Sequence, residues 1–419
     1  MAKANLIENL NRALPAAARK ALAAIVQDAQ GKASAIYLVG GSVRDLLLNR
    51  PTLDVDLTLE GDAPALARRV AIGLEDVRCT VHPAFGTATL KGADFRLDVA
   101  TARVETYERP GALPSVHPGS LQDDLCRRDF TVNAMALALT GDQRGVITDP
   151  FDGKSDLQAG LLRVLHEASF RDDATRILRA ARYASRLSFR LEPNTMRWLR
   201  RDVTYLGAIS GHRIREELAR IFHEPQPERI LMRLSELGAL QAIHPTLSFD
   251  GSQAEEFGKL REIHAAPSRT IYLALLAWGA SRPEATALAA RLALNKRETE
   301  AVRAVAPVRA LERDLSAEVK PSRAVELLSP FPSAAVWALA AASRESARVQ
   351  AARYLHRWRY VKPFLDGHAL QTLGATPGPQ LGQALRRLKA AKLDGEVRSR
   401  RDEERLAREL LRAGARTRT

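Results

Sequence analysis

Cysteine is scarce: Cys79 and Cys126 are the 2 cysteines among 419 residues, and they show no paired spacing. This excludes a disulfide framework and a thiolate zinc site, and it fits a reducing cytoplasm. None of the 9 histidines stands in an HD, HxH or HExxH arrangement, so neither an attached metal phosphohydrolase nor a zinc centre is indicated. No apolar run approaches the roughly 20 residues of a membrane span. The opening MAKANLIENLNRALPAAARKALAAIVQDAQ scatters charge through an amphipathic helical pattern and lacks the continuous apolar core of a secretory signal. Aromatics make up 5% of the chain, and Trp198, Trp278, Trp337 and Trp358 all sit in helical patterns, as core residues do. The absence of a fixed-period repeat or low-complexity tract argues against a regular solenoid.

What is abundant is arginine. The formal charge is +14 and the pI is near 10.1, with 46% hydrophobic and 27% charged residues: a soluble, globular composition. An excess of guanidinium over ammonium suits a partner carrying many phosphates. The excess is uneven, because residues 341–419 hold 18 Lys+Arg against 8 Asp+Glu, or +10 of the +14. A solvated, arginine-rich surface is the plain alternative.

At this length about two to four domains are expected. After an N-terminal helix, Ile36–Val39, Val55–Leu59, Thr87–Leu90 and Phe95–Ala100 are short, apolar and β-rich, and read as strands of one sheet. Ser42–Leu48 and Ala63–Ile72 carry helical spacing between them. From Ala174 onward helical periodicity runs to the end, broken at Pro225, Pro245, Pro321 and the Pro330–Pro332 stretch. The expected fold class is therefore α+β: a mixed α/β head with a small sheet, then helices throughout. The division expected is a head over 1–148, a helical neck over 149–245, a helical body over 246–340 and a basic tail over 341–419.

The chemistry concentrates in the head. YLVGGSVRD places Gly40 and Gly41 between a strand and a helix beginning near Ser42, a phosphate-sized nest to which Arg44 adds charge. Taken alone, this is also how a tight structural turn reads. In LDVDLTLE the strand period sets Asp54 and Asp56 on one face, where mutual repulsion favours a cation between them. Hard oxygen ligands suit Mg²⁺, which keeps waters and borrows substrate phosphates. Asp98, on a neighbouring strand, is the candidate third acid for a two-metal site that drives in-line attack on a phosphate.

The succession LVGGSVRD, DVDLT, LCRRDFTVNAMAL, DPFDG and RDDATRILRAARYASRL resembles the bacterial class II tRNA nucleotidyltransferase and poly(A) polymerase family, within the polymerase-β-like superfamily, over about residues 35–220. The resemblance implies catalytic roles for Asp54, Asp56 and Asp98, with two Mg²⁺ ions on Asp54 and Asp56. It implies nucleotide binding by Gly40, Gly41, Ser42, Arg44, Arg127, Arg128, Asp129 and Asn133. It extends that role to Asp172, Asp173, Arg176, Arg179 and Arg182. Asp173 and Arg176, three apart on one expected helix face, suit the amino donor and ring-nitrogen acceptor of adenine or cytosine and refuse guanine and uracil. Two positions depart from the family pattern: Asp172 stands where Glu is common, and His212 where an acid is usual. Asp149, Asp152 and Gly153 read as hinge chemistry. The Pro- and Gly-rich stretch between Asp98 and Arg127 matches a loop that the family needs for final A addition.

Residues 366–404 resemble the family's C-terminal segment, where Arg386, Arg387 and Lys389 are expected to meet RNA phosphates. The reading is a cytoplasmic enzyme with tRNA and nucleoside triphosphates as partners, adding CCA or its terminal A from ATP and CTP. Bacterial poly(A) polymerase is the neighbouring alternative, and a non-catalytic RNA-binding protein the alternative of another class.

Overall fold

The computed structural model describes residues 6–32, 34–51, 54–106 and 115–416. The chain divides into two compact units, Met1–Ile209 and Ser210–Thr419. The first carries the sheet. Its strands are β1 (Ile36–Val39), β2 (Asp54–Leu59), β3 (Arg78–His82), β4 (Thr87–Lys91), β5 (Arg96–Thr101), β6 (Arg103–Thr106), β7 (Ser115–Pro118), β8 (Ala136–Ala138) and β9 (Ile147–Thr148), with a short parallel pair, β10 (Leu161–Leu162) and β11 (Arg190–Leu191), beyond them. Its helices are α1 (Leu6–Ala13), α2 (Ala16–Gly31), α3 (Gly41–Leu47), α4 (Ala63–Ile72), α5 (Leu121–Cys126), α6 (Gly153–Ala159), α7 (Ser169–Asp172), α8 (Thr175–Leu187) and α9 (Pro193–Asp202).

Seven strands form one mixed sheet in the order β3-β4-β5-β2-β1-β8-β9, and β6 and β7 pair separately as an antiparallel ribbon. All four expected strands lie in the large sheet, and β2 and β5 run parallel at its centre. Period-2 alternation explains why this sheet has two unlike faces. Val55, Leu57 and Leu59 of β2 and Leu97 and Val99 of β5 are buried, and α2 and α4 pack on this side. Asp54, Asp56 and Asp98 alternate onto the other face. Helix α4 begins where Asp62 accepts the Ala65 amide at 2.9 Å, with Pro64 in the first turn. A reciprocal Ser120–Asp123 box starts α5.

The second unit is helical among its described residues. Its core includes the segment Arg269–Leu276, buried from Thr270 onward, which packs on the alanine-rich helix Ser333–Ala342. Pro321 opens one helix and Pro332 caps another, as their missing amide donors require. Of the tryptophans, Trp278 and Trp358 are buried, while Trp198 and Trp337 are half-buried. The expected head limit at 148 falls inside the first unit, which also takes in α6 to α9. None of the described helices is long and apolar enough to cross a membrane.

Candidate active site

The Gly-Gly turn is a left-handed bend. Gly40 has φ +70° and precedes α3, and a β-carbon there would lie 2.5 Å from an Arg128 guanidinium nitrogen. Only glycine lets that cation approach the turn. The Ser42 side chain, which is buried, serves β2: its hydroxyl donates to the Asp54 carbonyl (3.2 Å) and accepts the Asp56 amide (3.0 Å). The turn and the two acids are thereby stapled together.

Asp54 and Asp56 are both exposed on the same face of β2, and register pairs Asp56 directly with Asp98 on β5. Crowding by protein atoms raises the Asp56 carboxyl above the ordinary carboxylate range; Arg128 opposes this, while Asp98 and Asp54 add to it. Asp98 is held by Arg96 at 2.7 Å and by the Thr89 hydroxyl. Among the described residues no group of three His, Cys, Asp or Glu side chains stands in metal-holding geometry. Two carboxylates with a third close by nevertheless fit a hard cation that completes its shell with water and phosphate.

Asp124 is the carboxylate that the sequence reading missed. Fully buried on α5, it accepts from Arg127 (2.6 and 3.0 Å), Arg128 (2.8 Å) and the Thr58 hydroxyl (3.3 Å). Desolvation works against its charge, yet the two guanidinium groups hold its carboxyl below the ordinary range. The i, i+3 and i, i+4 spacing in DLCRR allows both pairings on one helix face but does not mark the carboxylate as buried. Arg127 also reaches Glu105 of β6 at 3.0 Å. Arg128 Nε is buried without a hydrogen-bond partner, beside the turn and facing the Asp56 charge.

A second network lies below. Asp129 accepts from Asn133 (3.0 Å) and Arg179 (2.5 and 2.8 Å), and Asn133 in turn accepts from Arg44 at 2.6 Å. Burial resists the Asp129 charge, but Arg179, Asn133 and Arg176 outweigh it and lower the carboxyl to about 2. Arg44, Arg179 and Arg182 surround the Tyr183 ring at 5.3, 5.5 and 4.6 Å from its centroid. Arg44 was expected to offer its charge to a phosphate nest. Instead it is buried and paired with Asp45 and Asn133, so its charge braces the floor of the site.

The Asp173–Arg176 geometry also differs from expectation. Asp173 is extended, with φ −142° and ψ 97°, between α7 and α8 and so does not share a helix face with Arg176. Its carboxylate accepts the Thr175 amide (2.9 Å) and hydroxyl (2.7 Å), the local bonding by which Asp starts a helix. Arg176 is buried in the first turn of α8 and donates to the Arg127 carbonyl (2.8 Å) and to Ser169. A cavity of about 170 Å³ beside it is lined by Arg127, His166, Asp172 and Arg176 among others. Asp149 accepts the Gly153 and Lys154 amides at 2.8 and 2.9 Å, and Asp152 has φ +55°, the turn chemistry expected of DPFDG.

On the second unit, Arg386 and Arg387 are exposed and Lys389 is half-buried on the helix Pro379–Leu393; Arg387 pairs with Glu396 at 2.7 Å. His212 is exposed. The loop expected between Asp98 and Arg127 is in part the β6–β7 ribbon, and residues 107–114 lie outside the described residues.

A mixed sheet whose glycine turn leads into a helix beside an acid-bearing parallel strand pair has the architecture of a nucleotide-transferring head, and residues 36–163 match the Poly A polymerase head domain. Residues 188–250 match the probable RNA and SrmB-binding site of polymerase A. The chain is 32% identical to the A-adding tRNA nucleotidyltransferase of Halalkalibacterium halodurans over 97% of its own length and 96% of that protein. It is 34% identical to the CC-adding tRNA nucleotidyltransferase of Deinococcus radiodurans over 90% of its length and 89% of that protein. The Thermotoga maritima CCA-adding enzyme complexed with tRNA superposes with a TM-score of 0.76 at 28% identity, covering 97% of this chain and 98% of that one. The chain belongs to the tRNA nucleotidyltransferase family.

Proposed function

We propose that this enzyme extends the 3′ end of tRNA without a template, taking CTP and ATP in turn or ATP alone, in a cytoplasmic setting. The observation that carries the reading is the register of Asp54, Asp56 and Asp98 on β2 and β5 beside the Gly40 turn. Asp54 and Asp56, joined by Asp98, are the groups to hold Mg²⁺, which when bound neutralises charge on the triphosphate and acidifies the attacking 3′-hydroxyl. Arg128, held by Asp124 against the glycine turn, meets the triphosphate. Asp129, Asn133 and Arg179 fix the floor beneath it. The Asp172–Asp173–Arg176 segment reads the base edge, and Arg386, Arg387 and Lys389 anchor the RNA body through phosphate contacts.

Support for tRNA comes from relatives named for A and CC addition that align over nearly the whole chain. Transcripts ending before CCA, after C and after CC, each supplied with CTP, ATP or both, separate the activities by product length. Asp54→Ala is expected to abolish incorporation while tRNA affinity stays within about twofold. Persistent incorporation in that variant sinks the reading, and unlimited A addition to any RNA end turns it into a poly(A) polymerase.

A further inference from the structure

Asp98, the third acid of the cluster, is already engaged. Register sets Asp54 opposite Arg96 and Asp56 opposite Asp98, so one face of the β2–β5 pair carries three carboxylates and one guanidinium. Arg96 grips Asp98 as a fork, Nε to Oδ2 at 2.7 Å and Nη2 to Oδ1 at 3.2 Å, and the Thr89 hydroxyl of β4 donates to the same Oδ1. A carboxylate offers about four lone-pair positions, and most of those on Asp98 are taken. This accounts for the finding that three acids in register do not stand in metal-holding geometry among the described residues. The grip is of a kind that can be released. The Arg96 and Asp98 side chains are 53% and 33% exposed, whereas Asp124, which holds Arg128, is fully buried. A guanidinium that leaves an exposed pair is rehydrated and gives up little; one that leaves a buried carboxylate strands its charge.

We propose that Arg96 is a positioning residue, the resident counter-ion of the acid cluster, which holds Asp98 while no divalent cation is bound and competes with that cation for it. The inference rests on the reading of Asp54, Asp56 and Asp98 as the groups that hold Mg²⁺. Arg96 lies in the field of all three carboxylates, that of Asp98 first. A divalent ion brought to the same carboxylates meets a like charge at contact range, so ion and guanidinium cannot share Asp98. Asp98 joins Asp54 and Asp56 around a cation only as Arg96 turns into solvent. Until then Arg96 offsets part of the mutual repulsion of the three acids. The sign of the effect separates this role from a purely structural one. Removing a brace loosens the acids and weakens cation binding, whereas removing a competitor tightens it.

The test titrates Mn²⁺ into the full-length, nucleotide-free enzyme and reads the free ion by electron paramagnetic resonance. Wild type is compared with Arg96→Gln, Arg96→Met, Asp98→Asn, the Arg96→Gln/Asp98→Asn pair and Lys91→Gln. Lys91 stands opposite Arg96 on β4 and controls for the loss of one nearby positive charge. Arg96→Gln is expected to tighten Mn²⁺ binding by about fivefold to tenfold, and Arg96→Met likewise. In the Asp98→Asn background the same substitution should change affinity by less than about twofold, because the group competed for is gone. Lys91→Gln should also stay within about twofold. The Mg²⁺ concentration for half-maximal incorporation should fall in parallel in Arg96→Gln. Unchanged or weaker Mn²⁺ binding in Arg96→Gln, an equal gain in Lys91→Gln or in the Asp98→Asn background, or loss of the folded state in both Arg96 variants each overturns the proposal. The nucleotidyltransferase reading survives all of these, since it stands on Asp54. Equal Mn²⁺ binding by wild type and Asp54→Ala removes the cation site itself, and the inference with it.

Discussion

At the scale of single residues, charge in this head is arranged in pairs before it meets any ligand. Asp129 shows the energetic consequence. Its carboxyl lies at about 2 because Arg179, Asn133 and Arg176 overcome burial. A depressed native value contributes stability that is present above the unfolded value near 3.9 and is lost as pH falls through about 2. For this buried group the shift corresponds to about 2–3 kcal/mol. Asp129→Asn is accordingly expected to lower urea stability at pH 7 by about 2–3 kcal/mol, with the difference closing between about pH 4 and pH 2. A constant difference across that range contradicts the assignment. The placement of Asp54, Asp56 and Asp98 together was legible in the sequence, because strand period implies a shared face. Their partnerships were not. Arg44 read as a phosphate contact and turned out to brace Asn133, and Asp124 escaped notice because a buried carboxylate is recognisable only once its two arginines fold back on it.

At the scale of elements, strands β1, β2, β4 and β5 were readable because each is a short apolar run between turn residues, and their observed limits fall within a residue of the expected ones. Strand β3, RCTVH, and the β6–β7 ribbon were not, since none of them buries a side chain fully and none holds an apolar run. Helix α8 was foreseen, but its start was placed too early, because the Asx bonding of Asp173 stops helix at a point where periodicity alone continues. The element contact that matters most to the site is the Ser42 staple between α3 and β2. Ser42→Ala removes a donor to the Asp54 carbonyl and an acceptor from the Asp56 amide in a buried place, at a cost of about 1–3 kcal/mol. The expected outcome is a fall in kcat of more than about tenfold with nucleotide KM nearly unchanged, since the acids lose register while the base-reading segment is untouched. Single-turnover incorporation measures it, and a variant with normal kcat shows that β2 keeps its register without the staple. Gly40→Ala belongs to the same turn. With φ at +70° and the Arg128 guanidinium 2.5 Å from the new methyl, it must displace that cation. Weaker ATP binding than in wild type is expected by equilibrium titration, and unaltered affinity removes Arg128 from the triphosphate.

At the scale of the whole molecule, the clustered acids Asp54, Asp56 and Asp98 and the net charge are kept in different parts of the chain. The acids and their bracing network belong to the first unit, whereas +10 of the +14 formal charge lies in residues 341–419 of the second. That separation was plain in composition, though the two-unit division at residue 209 was not, because Gly207, Ser210 and Gly211 are too short a punctuation between helical patterns to read as a linker. A protein built this way should bind RNA by electrostatics in one place and select nucleotides in another, so the two functions are separable by mutation. Replacing Arg386, Arg387 and Lys389 together by Ala removes up to three phosphate contacts, each worth about 0.7–0.9 in the slope of log K against log salt. The expected result is weaker tRNA binding with a slope shallower by about 2–3, while ATP affinity measured without tRNA is unchanged. Because Arg387 already pairs with Glu396 at 2.7 Å, part of its charge is spent within the fold, and Arg386 alone should account for more of the slope than Arg387 alone. Filter binding from about 50 to 200 mM salt reads both quantities. An unaltered slope places the RNA contacts elsewhere on the chain, and a matching loss of ATP affinity shows that the helix Pro379–Leu393 supports the fold rather than the RNA.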